Sequence, residues 1–206
     1  GYPMRVLKKD LRGEEGEIAL LPESLDDLWH LRHLVERGDL VFALSQRKVP
    51  AIADKARPEK MERKTVRLGV KIEDVEFHMY SNWLRLHGRI VSGMDVGSYH
   101  TLNIEVGTDL SILKYQWRPD LLARIDDAVK ESQRPKVVLA LVEEGEATIG
   151  LLRQFGVQMA AEIRMSSGKG SGEDTRASFM RGVAEAIDNA AGGGADVILA
   201  GPGFAK

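Results

Sequence analysis

The sequence predicts a two-domain protein, α+β/α/β in class: a small β-barrel carrying one helix, followed by an α/β domain. Three observations carry that reading. Up to Lys114 apolar residues mostly alternate, with a single interruption of helical period. At Trp117-Arg118-Pro119 the pattern changes to helices interleaved with apolar strands. The 206 residues are enough for two separate cores.

The elements follow in order. MRVLKKDL and GEIALLPE alternate or nearly so and read as strands. In SLDDLWHLRHLVERG, Leu25, Leu28, Leu31, Leu34 and Val35 fall at helical spacing. Ser24, followed three residues later by Asp27, makes a capping-box start, and Gly38 is the expected stop. Five further strands are expected in DLVFALSQRKV, KTVRLGVKIEDVEFH, NWLRLHGRIV, SYHTLNIEVG and SILKY, divided by turn signals at Ser81-Asn82, Ser92-Gly93 and Gly107. One helix and then five twisted strands suit a small RNA-binding barrel of Sm type, although the pattern alone does not separate it from an OB-type barrel.

Beyond residue 117, DLLARIDDAVKES reads as an amphipathic helix, KVVLALVEE as a buried strand, and GEATIGLLRQFGVQMAAEIRM as two strands turning at Phe155-Gly156. EDTRASFMRGVAEAIDNA is a helix with acidic residues in its first turn; GGGADVILAGPG supplies a glycine stop, an apolar strand and a turn. The expected domains are 1–117 and 118–206, the second incomplete because it ends just after a strand where an α/β domain normally adds a helix.

Composition narrows the function. Without cysteine there are no disulfides and no cysteine-ligated zinc, which fits a reducing interior. No apolar run approaches the ~20 residues of a membrane span and no signal-peptide core is visible, so a cytoplasmic protein without a membrane partner is expected. The net charge of -2 gives no whole-molecule attraction to nucleic acid, so any such binding must be local. Between Arg47 and Lys71 nine basic residues stand against three acidic ones, an excess of six. Arg47, Lys48, Lys55, Arg57, Lys60, Arg63 and Lys64 are therefore candidate RNA contacts, against the plainer reading of a solvated charged loop. Arg67 and Lys71 fall on a strand and point elsewhere.

The stretch SSGKGSGEDTRASF, 166–179, lacks the G-x-x-x-x-G-K-[ST] spacing of a phosphate-binding loop, because Lys169 lies between Gly168 and Gly170. Glycine and serine make it a surface loop by default.

MRVLKKDL, PESLDDLWHL, Gly38 to Val41, KTVRLG, GSYHTLNIE, GEATIGLL and GPGFAK, in that order along the chain, resemble the Pelota family of archaeal and eukaryotic ribosome-rescue factors. The resemblance implies an Sm-like N-terminal domain and a central α/β domain like that of class 1 release factors, here truncated, with the family's C-terminal domain absent. It implies a monomer that enters the vacant A site of a stalled ribosome with an elongation factor 1-alpha type GTPase and promotes dissociation of the ribosome, as in no-go decay and mRNA surveillance. No cofactor is implied by that activity. In class 1 release factors the matching central loop carries Gly-Gly-Gln, which positions the hydrolytic water. Residues 166–179 contain no glutamine, so no peptidyl-tRNA hydrolysis is expected, and Lys169 and Arg176 become candidate contacts to the GTPase.

The resemblance carries one enzymatic alternative, a divalent-metal-dependent endoribonuclease. Its densest oxygen-ligand candidates are Glu23, Asp26 and Asp27, whose simpler assignment is helix N-terminal capping. A plain Sm-like RNA-binding protein is the other alternative. His30 and His33 lie one helical turn apart without a third ligand at a recognisable spacing. Trp83, Tyr99 and His100 suit barrel edge filling better than base stacking, and GPGF reads as a turn.

Overall fold

Ser24 opens the first helix through the geometry its spacing requires. The computed structural model, which describes residues 4–50, 61–131, 136–166 and 172–203, places Ser24 in extended backbone at the N-cap of α1 (Leu25–Leu34). Its hydroxyl accepts the Asp27 N–H at 3.2 Å, while the Asp27 carboxylate accepts the N–H groups of Ser24 at 3.2 Å and Glu23 at 2.8 Å. The helix stops at Leu34, earlier than the Gly38 stop expected from sequence. Val35 is already extended, and tertiary bonds replace helical ones: Gly38 N–H donates to Ile72 O at 2.7 Å, and the Asp39 carboxylate accepts the Glu36 N–H at 2.8 Å.

Contacts divide the chain after Gln133. In the first unit β1 (Arg5–Arg12), β2 (Glu15–Leu21), β3 (Leu40–Pro50), β4 (Met61–His78), β5 (Trp83–Ser92), β6 (Tyr99–Glu105) and β7 (Leu110–Lys114) form one antiparallel sheet ordered β1-β2-β7-β3-β4-β5-β6. All seven strands expected from the alternation are present. β4 is 18 residues long and bends through irregularities at Gly69/Val70 and Ile72/Asp74, which curl the sheet. At the second bend Gly88 lies against β4 so closely that a Cβ would stand 1.9 Å from the Lys71 carbonyl, so no other residue fits there. Inside the curl Ile18, Leu20, Leu68, Ile72, Leu84, Leu86, Leu102, Ile104 and Ile112 are buried with Leu28, Leu31 and Leu34 of α1. Each such side chain contributes about 1.5–3 kcal/mol of burial free energy.

A second helix, α2 (Pro119–Glu131), packs on α1. His30 Nε2 lies 2.5 Å from Glu131 Oε2, and the Arg124 guanidinium stands 5.6 Å from the Trp29 ring centre. The sequence boundary at 117 assigns this helix to the second domain, whereas the structure packs it on the first. An amphipathic stripe announces that a helix covers something, not which unit it covers.

One polar cluster ties the first unit together. Lys114, 3% exposed, donates to Glu36 Oε2 at 2.9 Å and to Asp39 Oδ2, and its ammonium lies 5.4 Å from the Trp117 ring centre. Arg118 closes on the other Glu36 oxygen at 3.0 Å, and Trp117 Nε1 donates to Gly16 O at 2.9 Å. Burial raises the Asp39 carboxyl above its ordinary range despite the Lys114 bond; at Glu36 burial pushes the same way but the bonds from Lys114 and Arg118 prevail and lower it.

The second unit is a four-stranded sheet ordered β10-β9-β8-β11, from β8 (Lys136–Glu143), β9 (Glu146–Arg153), β10 (Gly156–Arg164) and β11 (Ala195–Ala200), with only the β8–β11 pair parallel. One face is covered by α3 (Gly172–Ala191), whose Phe179 and Val183 meet Val138, Ala140, Val142, Ala147 and Ile149. KVVLALVEE is thus buried on one side only, and Leu141 is 46% exposed.

Two outcomes are expected. The three tryptophans, Trp29, Trp83 and Trp117, all lie in the first unit, so their fluorescence follows its unfolding alone. Lys114→Met should cost about 3–5 kcal/mol, because Asp39 is left buried without its cation; Asp39→Asn added to it should recover a good part, and a cost below about 1 kcal/mol would contradict the role given to Lys114. The second concerns Asp27, which burial lifts from 3.8 to about 6 against the two N–H bonds. The folded state then holds that proton more tightly than the unfolded chain, so its contribution is present at low pH and is lost as pH rises through about 6. Relative to Asp27→Asn, the parent should lose up to about 3 kcal/mol between roughly pH 4 and 6; a pH-independent difference would contradict this.

Candidate nucleic-acid interface

Alternation sets the geometry of the basic segment. The residues expected on a loop are, where described, on a two-stranded arm: Arg47 and Lys48 on β3 stand directly opposite Lys64 and Arg63 on β4. Lys55, Arg57 and Lys60 lie outside the described residues. Continuous register from Leu40 opposite Lys71 to Pro50 opposite Met61 makes this arm a ladder rather than a loop. Like charges directly opposite across a ladder are destabilising, so the arm is electrostatically unsatisfied unless an anion meets it.

Arg47 is the exception. Its Nε donates to Asp95 Oδ2 at 2.8 Å, and its Nη1 lies 3.3 Å from both Tyr99 O and His100 Nδ1. It fastens the β5–β6 turn, where Asp95 holds a left-handed φ of 55°. Lys48, Arg63 and Lys64 are exposed and, among the described residues, have no carboxylate partner. Arg67 and Lys71, also exposed, stand opposite Leu44 and Leu40.

His100 joins the same cluster from β6. Since an arginine cannot accept, Arg47 donates to Nδ1, and Nε2–H donates to Ser45 Oγ at 2.7 Å. Burial, then Arg47 and His87, lower its pKa and favour the neutral ring. The Ser45–His100 pair is therefore structural: a base already protonated at Nε2 and facing a cation does not activate the hydroxyl.

The aromatics are engaged on the outer face. Trp83 lies 4.2 Å from the His78 ring centre with Arg85 4.9 Å above it, and Tyr99 stacks on His87 at 5.6 Å with Arg89 4.4 Å away. Between β3 and β6 runs a groove of about 580 Å³, lined by Gln46, Lys48, Arg63, Arg85, Asn103 and Glu105 among others. Arg85 and Asn103 escaped the sequence reading. The alternation in LRLHGR marks Arg85 as outward-facing, but nothing local places it beside Lys48.

The acidic candidates have other duties. Asp27 receives the capping bonds, and Glu23 pairs with Arg5 at 3.5 Å. His33 Nδ1 bonds to Trp29 O at 3.0 Å while His30 turns to Glu131. No three His, Cys, Asp or Glu among the described residues group to hold a metal ion. In the second unit Lys169 lies outside the described residues; Arg176 is exposed on α3, which begins at Gly172, so the latter half of the 166–179 stretch is helical. Gly201 to Gly203 turn after β11, and Phe204 lies outside the described residues. Among the described residues no helix is long and apolar enough to cross a membrane.

Comparison with known proteins places this arrangement. The family model described as Pelota N-terminal domain matches residues 4–129, a span that takes in most of α2. A protein pelota homolog of Methanothrix thermoacetophila is 68% identical over 98% of this chain, and the chain spans 58% of that relative's length. The crystal structure of the Thermoplasma acidophilum Pelota protein aligns with 98% of this chain and 55% of its own at 26% identity and a TM-score of 0.68. A structure described as ribosome-bound archaeal Pelota and ABCE1 aligns with 98% of this chain and 58% of its own at 36% identity and a TM-score of 0.53. With the barrel, the helix packed on it and the family match coinciding over one stretch, the chain belongs to the Pelota family.

Proposed function

We propose that this chain is the ribosome-engaging part of a rescue factor that enters the empty A site of a stalled ribosome and promotes its dissociation. The observation that carries it is the β3–β4 arm, where Lys48, Arg63 and Lys64 remain without carboxylate partners among the described residues. A relative solved on the ribosome supports the choice of partner. Ribosomal RNA presents phosphate without any need for base recognition, and exposed lysine or arginine on a ladder meets phosphate without reading sequence. An elongation factor 1-alpha type GTPase is the proposed second partner, with Lys169 and Arg176 as its contacts. The activity requires no cofactor and no hydrolytic group, in keeping with the absence of glutamine from residues 166–179. The chain acts as a monomer in the cytoplasm. We rank the endoribonuclease alternative lower, because Asp27 receives the capping bonds and Glu23 pairs with Arg5.

Binding to ribosomes with an empty A site, measured across salt concentration, tests the proposal. Lys48→Ala with Lys64→Ala should weaken binding and lower the slope of log affinity against log salt by about one per lost contact. Arg47→Ala should instead lower the thermal stability of the first unit, because its work is on Asp95 and Tyr99. An unchanged slope in the double variant would reject the phosphate contact.

A further inference from the structure

β3 pairs with β7 only through Leu40 to Ala43, so from Leu44 onward its second edge faces the unpaired edge of β6. Ser45–His100 and Arg47–Tyr99 bridge the two edges by side chains, and beside these bridges the polar groove lies open. Its charged lining is Lys48, Arg63 and Arg85 against Glu105. Arg63 faces Lys48 across the ladder, and Arg85, exposed, stands 4.9 Å from the Trp83 ring centre without a carboxylate partner among the described residues, although Glu76 is its cross-strand neighbour. A guanidinium near an indole face is attracted to the ring and keeps its N–H donors available to a bidentate acceptor. Gln46 and Asn103, both exposed, add amide donors and acceptors from opposite walls.

We propose that this groove extends the RNA-contacting surface of the arm: it shares Lys48 and Arg63 with the arm, adds Arg85 as a third phosphate contact and Gln46 and Asn103 at the bases, and seats a single-stranded segment. Cations spaced along a groove with amides between them match a phosphodiester strand with bases turned inward. The assignment rests on the RNA-contacting role proposed above for the choice of RNA over other polyanions and for the part of Lys48 and Arg63; Arg85, Gln46 and Asn103 are its own.

The test uses the whole chain and a labelled ten-nucleotide oligouridine, followed by fluorescence anisotropy from 50 to 200 mM salt. The parent should bind with a slope of about -2, from about 0.7 for each of three contacts. Arg85→Gln should weaken binding several-fold and flatten the slope by about 0.7. Asn103→Ala should weaken binding at unchanged slope, and Arg12→Gln on β1 should change neither. Tryptophan-monitored unfolding checks each variant; should Arg85→Gln fail to fold, Arg85→Lys, which keeps the charge and loses the planar fork, must show the loss. No binding by the parent at 50 mM salt, equal effects of Arg12→Gln and Arg85→Gln, or displacement of the RNA by polyglutamate as effective as by unlabelled oligouridine would overturn the site. Arg85-dependent oligouridine binding by a protein that fails to bind ribosomes would support the groove and count against the rescue role. Ribosome binding without oligouridine binding would overturn the groove alone.

Discussion

A strand with half of one edge unpaired governs the first unit. β3 shares four register positions with β7 and eleven with β4, so its outer portion is carried by β4 alone. In a closed barrel a backbone ladder would occupy the vacant edge. Here side chains do so: Ser45 meets His100 at 2.7 Å, and Arg47 reaches Tyr99 O and Asp95. These bonds hold the β5–β6 turn against β3. The same unpaired edge explains why Arg47 differs from Lys48: inward of the ladder it finds a carboxylate, and outward the lysine finds none among the described residues.

The start of β3 is fixed by the Lys114 cluster. Lys114 ends β7, Glu36 and Asp39 lie between α1 and β3, and Trp117 and Arg118 lead into α2. One buried ammonium thus ties together three connections. A buried cation shared by two carboxylates stabilises less than its Coulomb attraction suggests, since desolvation opposes it. What it contributes is geometry, because the ammonium's donors fit few other arrangements of these chains. The charges therefore differ in kind: those around buried Lys114 are paired, whereas Lys48, Arg63 and Lys64 on the arm are exposed and without carboxylate partners among the described residues.

How much of this was legible follows the range of the interactions. The capping box at Ser24 and Asp27 and the spacing from Leu25 to Leu34 are local and could be read directly. All seven strands of the first unit, and the strands and helix of the second, follow from alternation and turn residues. The helix end at Leu34 could not be read, because it depends on Gly38 bonding to Ile72. Lys114 reads as one more polar residue at a strand end, and its burial depends on Glu36 and Asp39 far away in sequence. For the candidate interface the charge excess was plain, but its shape was not. A run of basic residues looks like a loop until Arg47 is found opposite Lys64, and Arg85 joins them only through the curl of the sheet.

The central claim is that the β3–β4 arm, and not the basic edge strand β1, faces ribosomal RNA. The chain contains no cysteine, so a single one can be introduced for a tethered iron chelate that cleaves nearby RNA. Thr65→Cys on the arm and Lys9→Cys on β1, both exposed, give two otherwise identical probes bound to ribosomes with an empty A site. The account predicts strong cleavage of ribosomal RNA around the A site from Thr65→Cys and little from Lys9→Cys. Cleavage from Lys9→Cys with none from Thr65→Cys would contradict it.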